Sequence, residues 1–292
     1  MPPFTSYSEL YRGAVDTLTQ AGISNARHEA LWILEYALGV TSLQFHTNPE
    51  APLDAETCRK AVALFQRRAS REPLQYVLGT QEFFGLNFTV RPEVLIPRPE
   101  TELLVEEMIA LLGSDTRPVI LDVGTGSGCL AISLAVNLPQ AVMIASDKSV
   151  AALRIARLNA MRHGVLQRIL WVAGDLLAHL LSGNLAGKVT AIIANLPYIS
   201  HEEWDHLSPD VKDFEPRLAL DGGPDGLDLY RRLLVEAPGI LSSEGWMVME
   251  VGMGQTDLLC REPSVTNVFN LLKVRPDSQG IPRAVCLRRR RS

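Results

Sequence analysis

Asn195, Leu196, Pro197 and Tyr198 are the residues of this sequence whose types and order best suit chemistry. They follow an apolar run, Val189 to Ala194, that reads as a buried parallel strand. At the end of such a strand, Asn195 Oδ1 can accept one hydrogen of an –NH₂ group and the Leu196 carbonyl the other. Pro197 stiffens the turn and has no N–H of its own to donate. Tyr198 offers a ring on which a flat group can stack. The combination suits methylation of a planar, poorly basic nitrogen. Taken alone, the tetrapeptide also fits an ordinary strand-to-loop turn with a proline stop.

A second group of residues bears on the same chemistry. Val119 to Val123 is a short β-branched run, followed by Gly124-Thr125-Gly126-Ser127-Gly128 and an apolar stretch from Cys129 to Val136 that reads as a helix. Strand, glycine turn and helix amino terminus form a cradle for a nucleotide-like ligand. The spacing is Gly-x-Gly-x-Gly rather than the Gly-x-Gly-x-x-Gly of dinucleotide binders. The next strand, Ala141 to Ser146, leads to Asp147, a carboxylate for ribose hydroxyls. A third, Ile169 to Ala173, ends near Asp175, placed to meet an adenine edge. Three ligands at three successive strand ends fit the S-adenosylmethionine site of a class I methyltransferase.

The rest of the chain must position these groups. Its 292 residues, 47% hydrophobic and 21% charged, allow a large core and two domains. No apolar run approaches the roughly 20 residues that span a bilayer. The first residues lack the basic and apolar regions of a signal peptide, so a cytoplasmic protein is expected. Cys58, Cys129, Cys260 and Cys286 are scattered, as reduced thiols would be, and the six histidines show no zinc spacing, so no metal is expected. The net charge of −5 argues against stable nucleic-acid binding. Arg288 to Arg291 read as a solvated tail, with a local RNA contact as the lesser alternative.

Residues 1–72 show helical periodicity: Ser6-x-x-Glu9 as a capping box, a second apolar face ending at Gly39, and Asp54 capping a third helix. Their seven Lys/Arg and eight Asp/Glu do not make a polybasic arm. The expectation is a helical bundle that docks a macromolecular partner. Residues 73–92 read as a β-hairpin connector. From residue 93 to 292, strands alternate with helices, the pattern of a doubly wound, mostly parallel sheet. Arg98 and Glu100 are expected to shape a lid over the pocket, or to form a structural ion pair. His201, Glu202, Glu203, Trp204, Asp205 and His206 are expected to form a mobile loop over the substrate.

Six segments, Pro73-Leu-Gln-Tyr-Val-Leu-Gly79, Glu82-Phe-Phe-Gly85, Leu95-Ile-Pro-Arg-Pro-Glu-Thr-Glu102, Asp122-Val-Gly-Thr-Gly-Ser-Gly128, Asn195-Leu-Pro-Tyr-Ile199 and Glu215-Pro-Arg-Leu-Ala-Leu-Asp-Gly-Gly223, occur in this order. In this the chain resembles the HemK/PrmC family, the peptide chain release factor glutamine methyltransferases. The resemblance covers most of the chain, and its proline-arginine-proline and aspartate-glycine-glycine segments are more specific than the glycine loop. It implies a Rossmann-like, seven-stranded, mostly parallel sheet with an amino-terminal helical domain. It also implies methyl transfer from S-adenosylmethionine to the amide nitrogen of the Gln in the Gly-Gly-Gln loop of class-1 release factors. The cofactor residues it implies are Gly124 to Gly128, Asp147, Asp175, Leu176 and Asn195; for substrate and chemistry it implies Asn195 to Tyr198. Leu176 stands where some relatives carry an aromatic. Leu196 replaces the family's usual proline, and Asn-Leu-Pro-Tyr resembles the form in RNA adenine dimethyltransferases. An RNA or DNA adenine N6-methyltransferase is therefore the alternative, with a binding module that has lost catalysis as a further one.

Overall fold

The computed structural model describes residues 4–113, 117–181 and 185–291. The chain divides into two compact units: one runs up to Gly79 and includes Ser208–Phe214, the other takes Thr80–Leu207 and the chain from Glu215 onward.

The first unit is helical: α1 (Tyr7–Gln20), α2 (Ala26–Leu38), α3 (Ser42–Thr47), α4 (Ala55–Ala69) and α5 (Leu74–Leu78). Its ends follow local chemistry. Ser6 Oγ accepts from Glu9 N, Gly39 closes α2 at φ +66°, and Asp54 Oδ1 accepts from Glu56 N and Thr57 N at 3.0 and 2.9 Å. Leu10, Leu18, Ile33, Leu34 and Phe65 form its core. Arg68, buried among them, bonds Glu29 at 2.5 Å and Asp210 at 2.9 Å, which ties the turn of helix Pro209–Lys212 into this unit. Two expectations need correction. Residues 74–78 are helix rather than a hairpin arm: Gly79 stops the turn in the left-handed region, and Leu74, Tyr76 and Val77 are buried. The unit therefore extends to Gly79, not to residue 72.

The second unit opens with a hairpin, β1 (Thr80–Phe83) and β2 (Leu86–Thr89). Next come α6 (Glu102–Leu112), β3 (Val119–Val123), α7 (Cys129–Asn137), β4 (Val142–Asp147), α8 (Val150–Arg162), β5 (Ile169–Ala173) and β6 (Val189–Ala194). After β7 (Leu241–Glu250), β8 (Phe269–Pro276) and β9 (Pro282–Arg289) complete one seven-stranded sheet ordered β5-β4-β3-β6-β7-β9-β8. The first five strands in that order run parallel, and β9 lies antiparallel between β7 and β8. Apolar clusters cover the two faces of the sheet, one centred on Leu121, Ile192 and Leu233, the other on Ile120, Ile193 and Val248.

The arginine run is a solvated tail only in part: Arg288 and Arg289 end β9 and are half-buried, whereas Arg290 and Arg291 are exposed. Arg288 lies 4.8 Å over the Trp246 ring and 3.2 Å from Glu244, Arg290 donates to Phe269 O at 3.2 Å, and Arg291 meets Glu244 at 3.0 Å. Among the described residues, no helix is long and apolar enough to cross a membrane and no His, Cys, Asp or Glu group is placed to hold a metal.

The helical unit supplies a direct check. Asp54→Ala removes two amide acceptors at the start of α4 and should cost about 1 kcal/mol in stability, whereas Asp54→Ser should recover most of it. Thermal unfolding of the three proteins reads the difference.

Candidate active site

Strand register builds the site. Val123 pairs with Ser146 on β4 and with Ala194 on β6, while Ala194 pairs with Met249 on β7. The next residue of each strand is therefore Gly124, Asp147, Asn195 and Glu250, side by side at the carboxyl end of the sheet, where open α/β sheets place ligands. A cavity of about 180 Å³ opens there, lined among others by Val94, Arg98, Gly126, Asp147, Asp175 and Asn195.

The Asn195 carboxamide is held in one orientation. Its Nδ2 donates to Glu250 Oε2 and to Thr101 Oγ1, both at 3.0 Å, while the Thr101 hydroxyl donates to Glu250 Oε2 at 2.6 Å. A flipped amide would set Oδ1 against a carboxylate oxygen, so Oδ1 is the atom left for the cavity. Tyr198 Oη donates to Glu250 Oε1 at 3.3 Å. Burial pushes the Glu250 carboxyl up to about 7, against the Thr101 hydrogen bond and the Arg283 charge, which favour its ionised form. The Tyr230 hydroxyl, fully buried on helix Asp228–Glu236, lies between the carbonyls of Leu196, at 3.0 Å, and Glu250.

The glycine turn is equally constrained. Gly124 N and Thr125 N donate to Ser146 O, and Gly126 N to Asp147 Oδ2 at 2.8 Å. Asp147 Oδ1 accepts from Ser149 N at 2.7 Å. These bonds use two of the roughly four lone pairs of a carboxylate, so Asp147 can still accept from hydroxyls. Burial raises its pKa, opposed by those two amides. Beneath the turn, Asp122 is fully buried; its Oδ2 accepts from Thr125 Oγ1 and Ala131 N, and burial pushes its carboxyl up to about 7. A Cβ on Gly126 would meet nothing nearer than Gly124 O at 3.9 Å, so the cavity side of the turn is open. Asp175, 3.5 Å from Lys148 and 3.2 Å from Arg232, and the buried Leu176 complete the wall. Carboxylate acceptors beside an open turn and an apolar wall fit the ribose and base of an adenosine-bearing cofactor.

Comparison with known proteins decides the family. The model for the PrmC N-terminal domain matches residues 9–79, and that for the methyltransferase small domain matches 99–208. A release factor glutamine methyltransferase of Geobacter sulfurreducens is 42% identical over 92% of this chain and 91% of its own length. One of Nitratidesulfovibrio vulgaris is 37% identical over 99% and 98%, and the human MTRF1L release factor glutamine methyltransferase is 35% identical over 99% and 90%. The chain belongs to the release factor glutamine methyltransferase family. Among solved structures, the hMettl16 catalytic domain in complex with MAT2A 3′UTR hairpin 6 shares the methyltransferase fold, with a TM-score of 0.54 at 15% identity over 80% of this chain and 81% of that one.

In this family member, Gly124, Thr125, Gly126, Ser127, Asp147, Asp175, Leu176, Asn195, Leu196 and Pro197 all line the cavity. Gly128 and Tyr198 are not among its lining residues. Gly128 starts α7 at φ +83°, and its role is packing: a Cβ there would lie 2.9 Å from Ile132 and 3.1 Å from Ala156. Tyr198 is half-buried and packs on the main core beside β7. Arg98 lines the cavity and pairs with the buried Glu215, which also accepts from Ile96 N at 3.1 Å. Glu100 is not on the cavity wall. Residues 201–206 begin with α9 (His201–Trp204), capped by Ser200 and Glu203; Trp204 lies under Arg217 at 4.9 Å and His201 is 3.5 Å from Asp221. Of the segment expected to cover the substrate, residues 201–204 form a capped helical turn.

Sequence reasoning missed Glu250, Thr101, Tyr230 and Asn159. Glu250 carried a readable signal, a lone carboxylate closing the apolar run Trp246-Met-Val-Met, as Asn195 closes its own strand. Asn159 had none: buried inside α8, it donates to Thr89 O and Ser127 O and accepts from Thr89 N, joining the hairpin to the glycine turn.

The two inner glycines separate binding from packing. Gly128→Ala should cost more than about 1 kcal/mol in stability, because its φ and its neighbours both resist a Cβ. Gly126→Ala, strained at φ +56° but sterically open, should chiefly weaken S-adenosylmethionine binding. Melting temperature and calorimetric affinity of both variants test the division.

Proposed function

We propose that this protein transfers a methyl group from S-adenosylmethionine to the side-chain amide nitrogen of a glutamine in peptide chain release factors, within the Gly-Gly-Gln loop of the class-1 factors. The observation that carries the reading is the fixed Asn195 carboxamide, turned so that Oδ1 remains for an incoming N–H. The names of the relatives support a release factor substrate over the adenine alternative that Leu196 raised.

When bound, S-adenosylmethionine supplies an electrophilic sulfonium methyl group. Asp147 accepts from the ribose hydroxyls, and Asp175 and Leu176 border the base. An amide nitrogen is a weak nucleophile because its lone pair is delocalised into the carbonyl. Asn195 Oδ1 and the Leu196 carbonyl, which keeps a lone pair beyond its bond to Tyr230, take the two N–H groups and turn the nitrogen lone pair toward the cofactor. The same acceptors favour the positive charge that grows on nitrogen. No strong base is needed, since the alkylated amide loses its proton readily to water. Tyr198, Pro197 and the segment pairing Ile199 with Leu220 and Gly222 hold the turn. The helical unit serves to dock the release factor, and the reaction belongs in the cytoplasm, without stable nucleic-acid binding.

Mass spectrometry of a release factor incubated with the enzyme and S-adenosylmethionine should place one added methyl group on the Gly-Gly-Gln glutamine. A methylated RNA adenine with an unmodified factor would transfer the reading to nucleic acid. Asp147→Ala should cost about 1–3 kcal/mol of cofactor affinity by calorimetry.

A further inference from the structure

Glu250 and Thr101 take no part in binding by the scheme above, yet they make the contacts that orient its central group. Glu250 is 1% exposed and ends β7 beside Asn195. Three donors converge on its carboxylate: Thr101 Oγ1 at 2.6 Å, Asn195 Nδ2 at 3.0 Å and Tyr198 Oη at 3.3 Å. Thr101 spends its only proton on Glu250, so its oxygen must act as acceptor toward Asn195 Nδ2. The arrangement has one polarity. Thr101 Oγ1 and Glu250 Oε2 both accept on the same side of Nδ2, which holds the nitrogen end of the amide toward them and leaves Oδ1 outside these bonds.

We infer that Glu250, with Thr101 as its relay, is the positioning residue that locks the Asn195 carboxamide with Oδ1 toward the substrate nitrogen. The inference rests on the proposed glutamine-methylating role of Asn195 and deepens it. An unlocked Asn195 could turn its NH₂ toward the substrate, offering a donor to a donor and losing the alignment of the amide lone pair. The ionised carboxylate accepts from all three donors at once. A protonated carboxyl keeps a weaker carbonyl acceptor and sets its own hydrogen against one of those donors, which loosens the lock. The groups facing Glu250 come from every element around it: Glu100 and Thr101 before α6, Cys129 on α7, Asn195 and Tyr198 after β6, Tyr230, and Arg283 on β9. Burial and Glu100 favour its neutral form; Thr101, Tyr198 and Arg283 favour the charge.

The test compares full-length wild type, Glu250→Gln and Thr101→Val in single-turnover methylation of a release factor, with cofactor affinity and melting temperature measured on each. Both variants keep side-chain volume while disturbing the polarity of the network. The expected result is a fall in kcat of about tenfold or more for each, smaller than the roughly hundredfold expected for losing a directly acting group. KM for the release factor and cofactor affinity should stay near wild type. Wild-type kcat should fall as pH drops through the titration of Glu250, and Glu250→Gln should lack that acid limb. Wild-type kcat in both variants, or an unchanged acid limb in Glu250→Gln, would overturn the inference. So would a loss of rate matched by equal losses of cofactor affinity and melting temperature in both, which marks a structural role. If wild type leaves the glutamine unmodified, the functional reading itself fails, a result independent of either variant.

Discussion

Parallel strands fix their neighbours residue by residue, and side chains alternate between faces with a period of two. A slip of β6 by one position would bury Asn195 in the wrong layer and lift Ala194 into its place. The pairing of Val123, Ser146, Ala194 and Met249 across four strands prevents that slip. Everything polar in the site depends on it, because that register sets Gly124, Asp147, Asn195 and Glu250 side by side at the carboxyl ends of their strands. Their groups must then satisfy one another or a ligand.

Two buried carboxylates show the energetic consequence. Asp122 and Glu250 are both pushed up to about 7 by burial. A raised native pKa means that the folded state binds the proton more tightly than the unfolded chain. The stability this contributes is present below the unfolded carboxyl range and is lost as pH rises through about 7. Keeping Glu250 ionised at neutral pH therefore works against stability. Thr101, Tyr198 and Arg283 offset that cost, and the result is a rigid Asn195. Strain or exposure that a fold tolerates only locally tends to gather at such sites.

Much of this was legible in the sequence. β3 and β6 run over the residues their apolar periodicity indicated; the glycine turn was read from its place between a strand and a helix, and Asp147 and Asn195 as polar residues closing apolar strands. Long-range partnerships were less accessible. Thr101 lies 94 positions from Asn195 and Glu250 lies 55, and nothing local encodes their meeting. Residues 74–78 misled because five apolar-rich residues fit helix and strand equally, and a single left-handed Gly79 decided the outcome. The start of the arginine run misled because charge suggested solvent, whereas Glu244 and Trp246 within β7 offered the guanidinium groups a counter-charge and a face.

The central claim is that Asn195 Oδ1 acts in the chemical step and not in holding the cofactor. Single-turnover methylation of a release factor by Asn195→Ala, with S-adenosylmethionine affinity measured on the same protein, tests it most directly. The account predicts a rate lower by on the order of a hundredfold with affinity close to wild type. A variant that methylates at the wild-type rate, or that loses rate only as far as it loses cofactor, would contradict it.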